Sequence, residues 1–138
     1  MRKTDILDVV SRKLAPFMFL FGLYLVSHGD LSPGGGFQGG VVIASGVILL
    51  AMAKGSAAAA ALLPVRKLAV TEAVAFGLIL AVGLAGVLMG AGFLADVLYD
   101  GTLLPIVRTP FVFILNLLIG LKVGAGASLI CLHLFAQE

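Results

Sequence analysis

Four long stretches of the sequence carry almost no charge, and they constrain the fold more than any other feature. Leu14–Ser27 and Phe37–Ala53 contain no charged residue, Leu68–Leu94 contains only Glu72, and Phe111–Phe135 contains only Lys122 and the late His133. About 20 apolar residues are needed for a helix to cross the hydrocarbon core of a bilayer. The runs are apolar on every side of a helix and do not alternate as the strands of a β-barrel do. They therefore predict an all-α membrane protein with four transmembrane helices.

The composition supports this assignment for the whole chain. Of the 138 residues, 61% are hydrophobic and 12% are charged, whereas soluble domains carry about 25% charge. Four spans, at about 14–28, 37–53, 68–94 and 111–135, leave room for no separate soluble domain, so the chain is expected to form one integral membrane domain over residues 1–138. The net charge of +2 is too small to indicate nucleic acid as a partner.

Basic residues are concentrated on one side of the predicted membrane. Short loops rich in Lys and Arg stay in the cytoplasm. Such residues occur before span one and between spans two and three, whereas loop one has none and loop three has only Arg108. The distribution predicts that both termini are cytoplasmic. The basic residues on this side are Arg2, Lys3, Arg12, Lys13, Lys54, Arg66 and Lys67.

The connection between spans one and two has an unusual glycine-rich sequence, from Pro33 to Gly40. Gly34, Gly36 and Gly39 match G-x-G-x-x-G, but neither the preceding strand nor the later acidic residue of a dinucleotide site is present, and no Lys-Ser/Thr pair follows as in a phosphate-binding loop. The alternative is a structural loop in which a tight turn brings the backbone close to another helix, with Ser32 capping span two. The motif consists of Pro33, Gly34, Gly35, Gly36, Phe37, Gln38, Gly39 and Gly40.

These residues, P-G-G-G-F-Q-G-G before a short apolar span, resemble the signature of the MnhB (also called MrpB) subunit of Mrp-type multisubunit cation/proton antiporters. The stretch Asn116…Gly120-Leu121-Lys122-Val123 and the four-span layout are similar to that family over nearly the whole chain. One departure is that family members commonly have a histidine where this chain has Asp30, while His28 lies two residues earlier.

The resemblance implies a small subunit of a large hetero-oligomer in the cytoplasmic membrane, which exchanges Na⁺ or a similar cation for H⁺. The same subunit type occurs in Mrp-related respiratory complexes such as membrane-bound hydrogenases, so a redox-driven ion pump is an alternative. A second alternative is a scaffold subunit without an ion path.

Ionisable residues inside the spans are the candidates for an ion path. Lys122 lies near the middle of the last span, where a Lys opposes insertion by about 2.5–3.5 kcal/mol. It belongs to a proton relay or biases a neighbouring carboxylate, or it pairs with an acid or backbone carbonyl of a neighbouring subunit for assembly alone. Glu72 either marks the cytoplasmic entry of an ion path or pairs with Lys67 near the helix N-terminus. His28 and Asp30 at the outer face, and His133 at the inner interface, are further ion-path candidates, with plain solvent-facing or interfacial groups as the alternative.

Small residues predict close helix packing in the last two spans. Asn116, Gly120 and Gly124 lie on a different side of span four from Lys122 and His133, which predicts partners on both sides of that helix. In span three, Gly83, Gly86 and Gly90 are expected to form a groove for another helix.

The sequence contains no catalytic set and no cluster of metal ligands, and Cys131 has no second cysteine to pair with. We therefore expect a chain that is not an enzyme by itself and that needs no cofactor.

Overall fold

The computed structural model describes residues 5–29, 31, 35–95 and 110–136 and folds them into five helices. Four of these helices are long and apolar enough to cross a membrane, which confirms the all-α, four-span architecture. Arg2, Lys3, Asp30, Ser32, Pro33, Gly34 and Arg108 lie outside the described residues. The helices are α1 (Asp5–Ser27), α2 (Gly35–Lys54), α3 (Ser56–Leu62), α4 (Val65–Leu88) and α5 (Pro110–Ala136).

The long helices form a layer in the order α1, α2, α5, α4, and the layer is curved, since α1 and α4 at its two edges line the same cavity. The last helix therefore lies between the second and the fourth, although α4 precedes it in the chain. Helix α2 is the most buried of the four spans. Within an apolar stretch of 18 residues, 44% of the α2 residues are buried, compared with 11% for α4 at the edge. Many of its buried residues are glycine or alanine, which let neighbouring backbones approach closely.

Helix α3 covers one end of the layer. Gly55, with φ 88°, separates it from α2, so the alanine run Ala57–Ala61 lies in a short helix of its own and does not continue span two. Ala59 of α3 packs with Ala51 of α2 and Leu132 of α5 in a small buried cluster, which Leu68 and Phe135 border.

The end of α4 differs from the sequence prediction. The helix ends at Leu88, six residues before the predicted Leu94. Gly90 follows in a left-handed conformation, with φ 79°, and a β-carbon there would meet nothing within 4 Å. Gly90 is therefore a helix-ending residue and not part of a packing groove.

Gly83 and Gly86 do make close contacts, but with a partner that the sequence did not predict. The chain folds back after Gly90, and the Phe93 ring lies against Gly83, where an added β-carbon would be 2.5 Å from Cε2. The Leu94 amide donates to the Gly83 carbonyl oxygen at 3.3 Å. The carbonyl oxygen of Gly92 lies in the same way against Gly86. The groove on α4 is thus filled by the segment that follows the same helix.

Candidate intramembrane site

The glycine motif forms a contact between α2 and α5. The motif was expected to be a loop, but Gly35–Gly40 form the first turns of α2. Gly36 lies against the Asn116 backbone, and a β-carbon added there would overlap the Asn116 carbonyl oxygen. One turn later, a β-carbon at Gly40 would lie 2.8 Å from the Gly120 carbonyl oxygen and 3.0 Å from the Gly124 nitrogen. Glycine is unfavourable inside a helix, yet here its missing side chain permits the close approach.

The opposite side of the same turns contacts α1. A β-carbon at Gly39 would lie 2.6 Å from the Gly22 carbonyl oxygen, and one at Gly22 would lie 2.9 Å from the Gly39 carbonyl oxygen. Phe37 and Gln38 project away from both contacts and are exposed on the bundle surface. The motif therefore joins three helices through backbone contact, and Gly22 is a member that the sequence motif did not indicate.

Asn116 is the polar residue of this contact. Its Oδ1 accepts a hydrogen bond from the Gly36 backbone N–H at 3.4 Å. Its Nδ2 is buried and has no hydrogen-bond partner in the part of the chain that the structure describes. Gly29 and Gly35 pack on the same amide, where added β-carbons would lie 2.6 Å from Nδ2 and 2.8 Å from Oδ1.

We expect Asn116→Ala to lower the free energy of unfolding by about 1 kcal/mol, because the bond to Gly36 is long and the unpaired Nδ2 is removed with it. Asn116→Leu should be worse, by about 1–3 kcal/mol, since its branched end has no room beneath Gly29 and Gly35. Thermal unfolding of the purified protein in detergent measures both changes. A larger loss for Ala than for Leu would contradict this account of the amide.

The second element of the site is an ion pair between α4 and α5. Lys122 Nζ lies 3.1 Å from Glu72 Oε1 and 5.4 Å from the centre of the Phe76 ring. Gly126, one turn from Lys122, lies beside the Glu72 side chain, since a β-carbon there would be 3.5 Å from Cγ, an ordinary van der Waals distance. The alternative in which Glu72 pairs with Lys67 is wrong. A signal for this pair was present in the sequence. The third predicted span contains one acid, Glu72, and the fourth contains one base, Lys122, and opposite charges within a membrane can neutralise each other.

The two sides of α5 are covered by helices of the same chain. The Asn116 side packs on α2 and the Lys122 side on α4. Helix α5 does have partners on both sides, but they are helices of the same chain. The inference from these two faces to other subunits is therefore wrong. The ion pair is nevertheless incompletely covered, because the side chains of Lys122 and Glu72 remain 35% and 32% exposed.

The two histidines lie away from this pair. His28 is exposed at the end of α1 and stacks on Tyr24, with 4.3 Å between ring centres. His133 follows Lys122 by eleven residues, about 16 Å along a helix axis, and its Nδ1 lies 2.9 Å from the Leu129 carbonyl oxygen. Among the described residues, no group of three His, Cys, Asp or Glu side chains is placed to bind a metal ion.

Comparison with known proteins identifies the family. The family model for domains related to the MnhB subunit of Na⁺/H⁺ antiporters matches residues 6–129 of this sequence. The chain belongs to this family. The match covers the parts of the site described above, from the glycine motif to the Glu72–Lys122 pair. The MnhB family is defined by a transporter subunit and not by a catalytic enzyme.

Two relatives show how far the similarity extends. The Na⁺/H⁺ antiporter B subunit of Bacillus subtilis is 38% identical over 96 residues, which are 67% of this chain and 65% of that protein. An uncharacterized protein of Methanocaldococcus jannaschii is 33% identical over 136 residues, which are 91% of this chain and 50% of that protein. The MnhB domain described here thus spans between half and two thirds of the length of these curated relatives.

Proposed function

We propose that this protein is a membrane subunit of a multisubunit antiporter that exchanges Na⁺ or a similar cation for H⁺ across the cytoplasmic membrane. Membership of the MnhB family and similarity to the Bacillus subtilis protein support the assignment. The partners are then the other membrane subunits of the complex, and both termini are cytoplasmic.

The observation that carries the proposal is the Lys122–Glu72 pair. Ionisable groups inside a membrane protein are rare and generally belong to ion or proton pathways. Each of these two side chains opposes membrane insertion, and the two form a pair between α4 and α5. About a third of each side chain is left uncovered by this chain, so a polar group of another subunit, or water held between subunits, can reach the carboxylate and the ammonium group.

In this proposal, Glu72 and Lys122 form one ionisable pair beside the ion path. The carboxylate can accept a proton that arrives through the exposed side, and the lysine holds the carboxylate in place at 3.1 Å. His28, Asp30 and His133 remain predicted contributors at the two membrane faces. The glycine motif has a structural role, since it fixes α5 against α2 and thereby fixes the position of Lys122 on α5.

Purification of the complex through a tag on this chain tests the assignment. We expect mass spectrometry of the complex from native membranes to identify other antiporter subunits, and everted vesicles to show Na⁺-dependent H⁺ efflux that is lost when the gene is deleted and restored by the wild-type chain. Iron and nickel are assayed in the same sample. Stoichiometric metal with redox subunits would contradict the antiporter assignment in favour of a redox-driven pump, and recovery of this chain alone would contradict a multisubunit complex.

A further inference from the structure

An apolar cavity of about 270 Å³ lies among the four long helices. Gly120 and Gly124 of α5 contribute to its wall, Phe19 of α1 lies on one side and Leu68 of α4 on another. Two hydroxyl residues, Thr71 and Ser128, also line it. The Ser128 hydroxyl already donates to the Gly124 carbonyl oxygen at 2.6 Å, so it presents little polarity to an occupant.

The cavity runs along the helices. Its lining on α5 extends from Leu117 to Ser128, which corresponds to about 16 Å along the axis. An apolar space of this length fits a single hydrocarbon chain that lies parallel to the helices.

One end of the cavity lies next to basic residues. Leu63 and Leu68 line this end, and the exposed Arg66 and Lys67 lie between them in the chain. Lys54 ends α2 on the same side of the layer, where α3 packs against α2. Residues 54–67 include no Asp or Glu. A ligand with an apolar chain in the cavity would thus have its head group in a region of positive charge, which favours an anionic head group.

From this arrangement we infer that the cavity is a binding site for one acyl chain of an anionic phospholipid, whose phosphate group contacts Arg66 and Lys67. Zwitterionic lipids offer the same hydrocarbon chain but gain less from the basic residues. This inference does not depend on the antiporter assignment, because it concerns a lipid site of the chain and not a transported ion.

Native mass spectrometry of the full chain, released from nanodiscs with defined lipids, tests the inference. We expect phosphatidylglycerol to be retained in preference to phosphatidylcholine. Each basic residue near a membrane surface contributes about a fivefold preference, so Arg66→Gln combined with Lys67→Gln should reduce the preference by about 30-fold. Lys67→Gln alone should reduce the preference by about fivefold. Lys13→Gln, which also removes one charge but at an exposed position of α1 outside this cavity, is its matched control and should leave the preference unchanged.

Filling the cavity tests the apolar part separately. Thr71→Phe should abolish retention of the lipid, whereas Thr71→Val, which keeps the volume, should not. Val74→Phe adds the same ring at an exposed position outside the cavity and controls for the added bulk. Should Thr71→Phe fail to fold, Leu63→Trp fills the same cavity from the connection between α3 and α4. Equal retention of the two lipids, or retention unaffected by either cavity-filling variant, would overturn the inference.

Discussion

Lys122→Ala should abolish antiport and destabilise the protein, and Glu72→Ala should do the same. Either change leaves the remaining charge between α4 and α5 without its partner at 3.1 Å. Breaking a fully buried pair in this way lowers the free energy of unfolding by about 3–5 kcal/mol. Since each side chain is about a third exposed, we expect a smaller loss of about 1–3 kcal/mol. Thermal unfolding in detergent measures this loss, and Na⁺-dependent H⁺ efflux from everted vesicles measures transport.

Three further variants separate transport from stability. Lys122→Glu combined with Glu72→Lys restores an ion pair and should recover most of the stability. Lys122→Met combined with Glu72→Met removes both charges without leaving either unpaired, so it should assemble but not transport. Lys67→Ala removes the base that the sequence alone suggested as the partner of Glu72, and it should leave stability unchanged. Wild-type transport by the double methionine variant would contradict an ion-path role and favour a scaffold subunit.

Gly36→Ala should separate α2 from α5, although it adds a single methyl group. The added β-carbon would overlap the Asn116 backbone. Because the obstacle is backbone and not a flexible side chain, it cannot be relieved by rotation about a side-chain bond. Overpacking of this kind lowers the free energy of unfolding by about 1–3 kcal/mol, and we expect the upper part of this range. Gly40→Leu should be at least as disruptive, since it would push on Gly120 and Gly124. Thermal unfolding and the yield of complex purified through the tagged chain measure both effects.

Gly77→Ala provides the matched control. Gly77 also lies inside a long helix, but a β-carbon there would meet nothing within 4 Å. Alanine is favoured over glycine in a helix by about 1 kcal/mol, so this variant should be neutral or slightly stabilising. If Gly36→Ala and Gly77→Ala have the same effect, backbone contact at Gly36 does not contribute to the packing of α2 on α5.

Local sequence patterns predicted the helices well but not all of their ends. A segment that enters a membrane must satisfy the hydrogen bonds of its backbone internally, so uncharged runs form helices. The four spans therefore follow from hydropathy alone. Glycine has no such fixed meaning. Gly35, Gly36, Gly39 and Gly40 lie inside α2, whereas Gly55 separates two helices and Gly90 follows the end of α4. Glycine therefore occurs both inside helices and at their ends, and only the packing of neighbouring segments determines which role a given glycine has.

The candidate residues of the site were also predicted from local sequence patterns, each without its partner. Lys122 and Glu72 stand out because charge is unfavourable in hydrocarbon, and Asn116 stands out because of its spacing from Gly120 and Gly124. The partners of these residues depend on which helices are adjacent. Periodicity places residues on the face of one helix but does not indicate which helix covers that face. Other subunits were therefore expected on both sides of α5, while the structure shows α2 and α4 in these positions.

By itself, the sequence determined that the chain is a four-span membrane protein and that two opposite charges lie within its spans, because both depend on the transfer of residues between water and hydrocarbon. The tertiary structure decided that these charges meet, that the glycine motif packs on α5, and that an apolar cavity remains among the long helices. These features depend on contacts between residues far apart in the chain, such as Gly36 and Asn116, which are 80 positions apart. Such contacts are set by the order of the helices in the layer, which the hydropathy of each span does not encode.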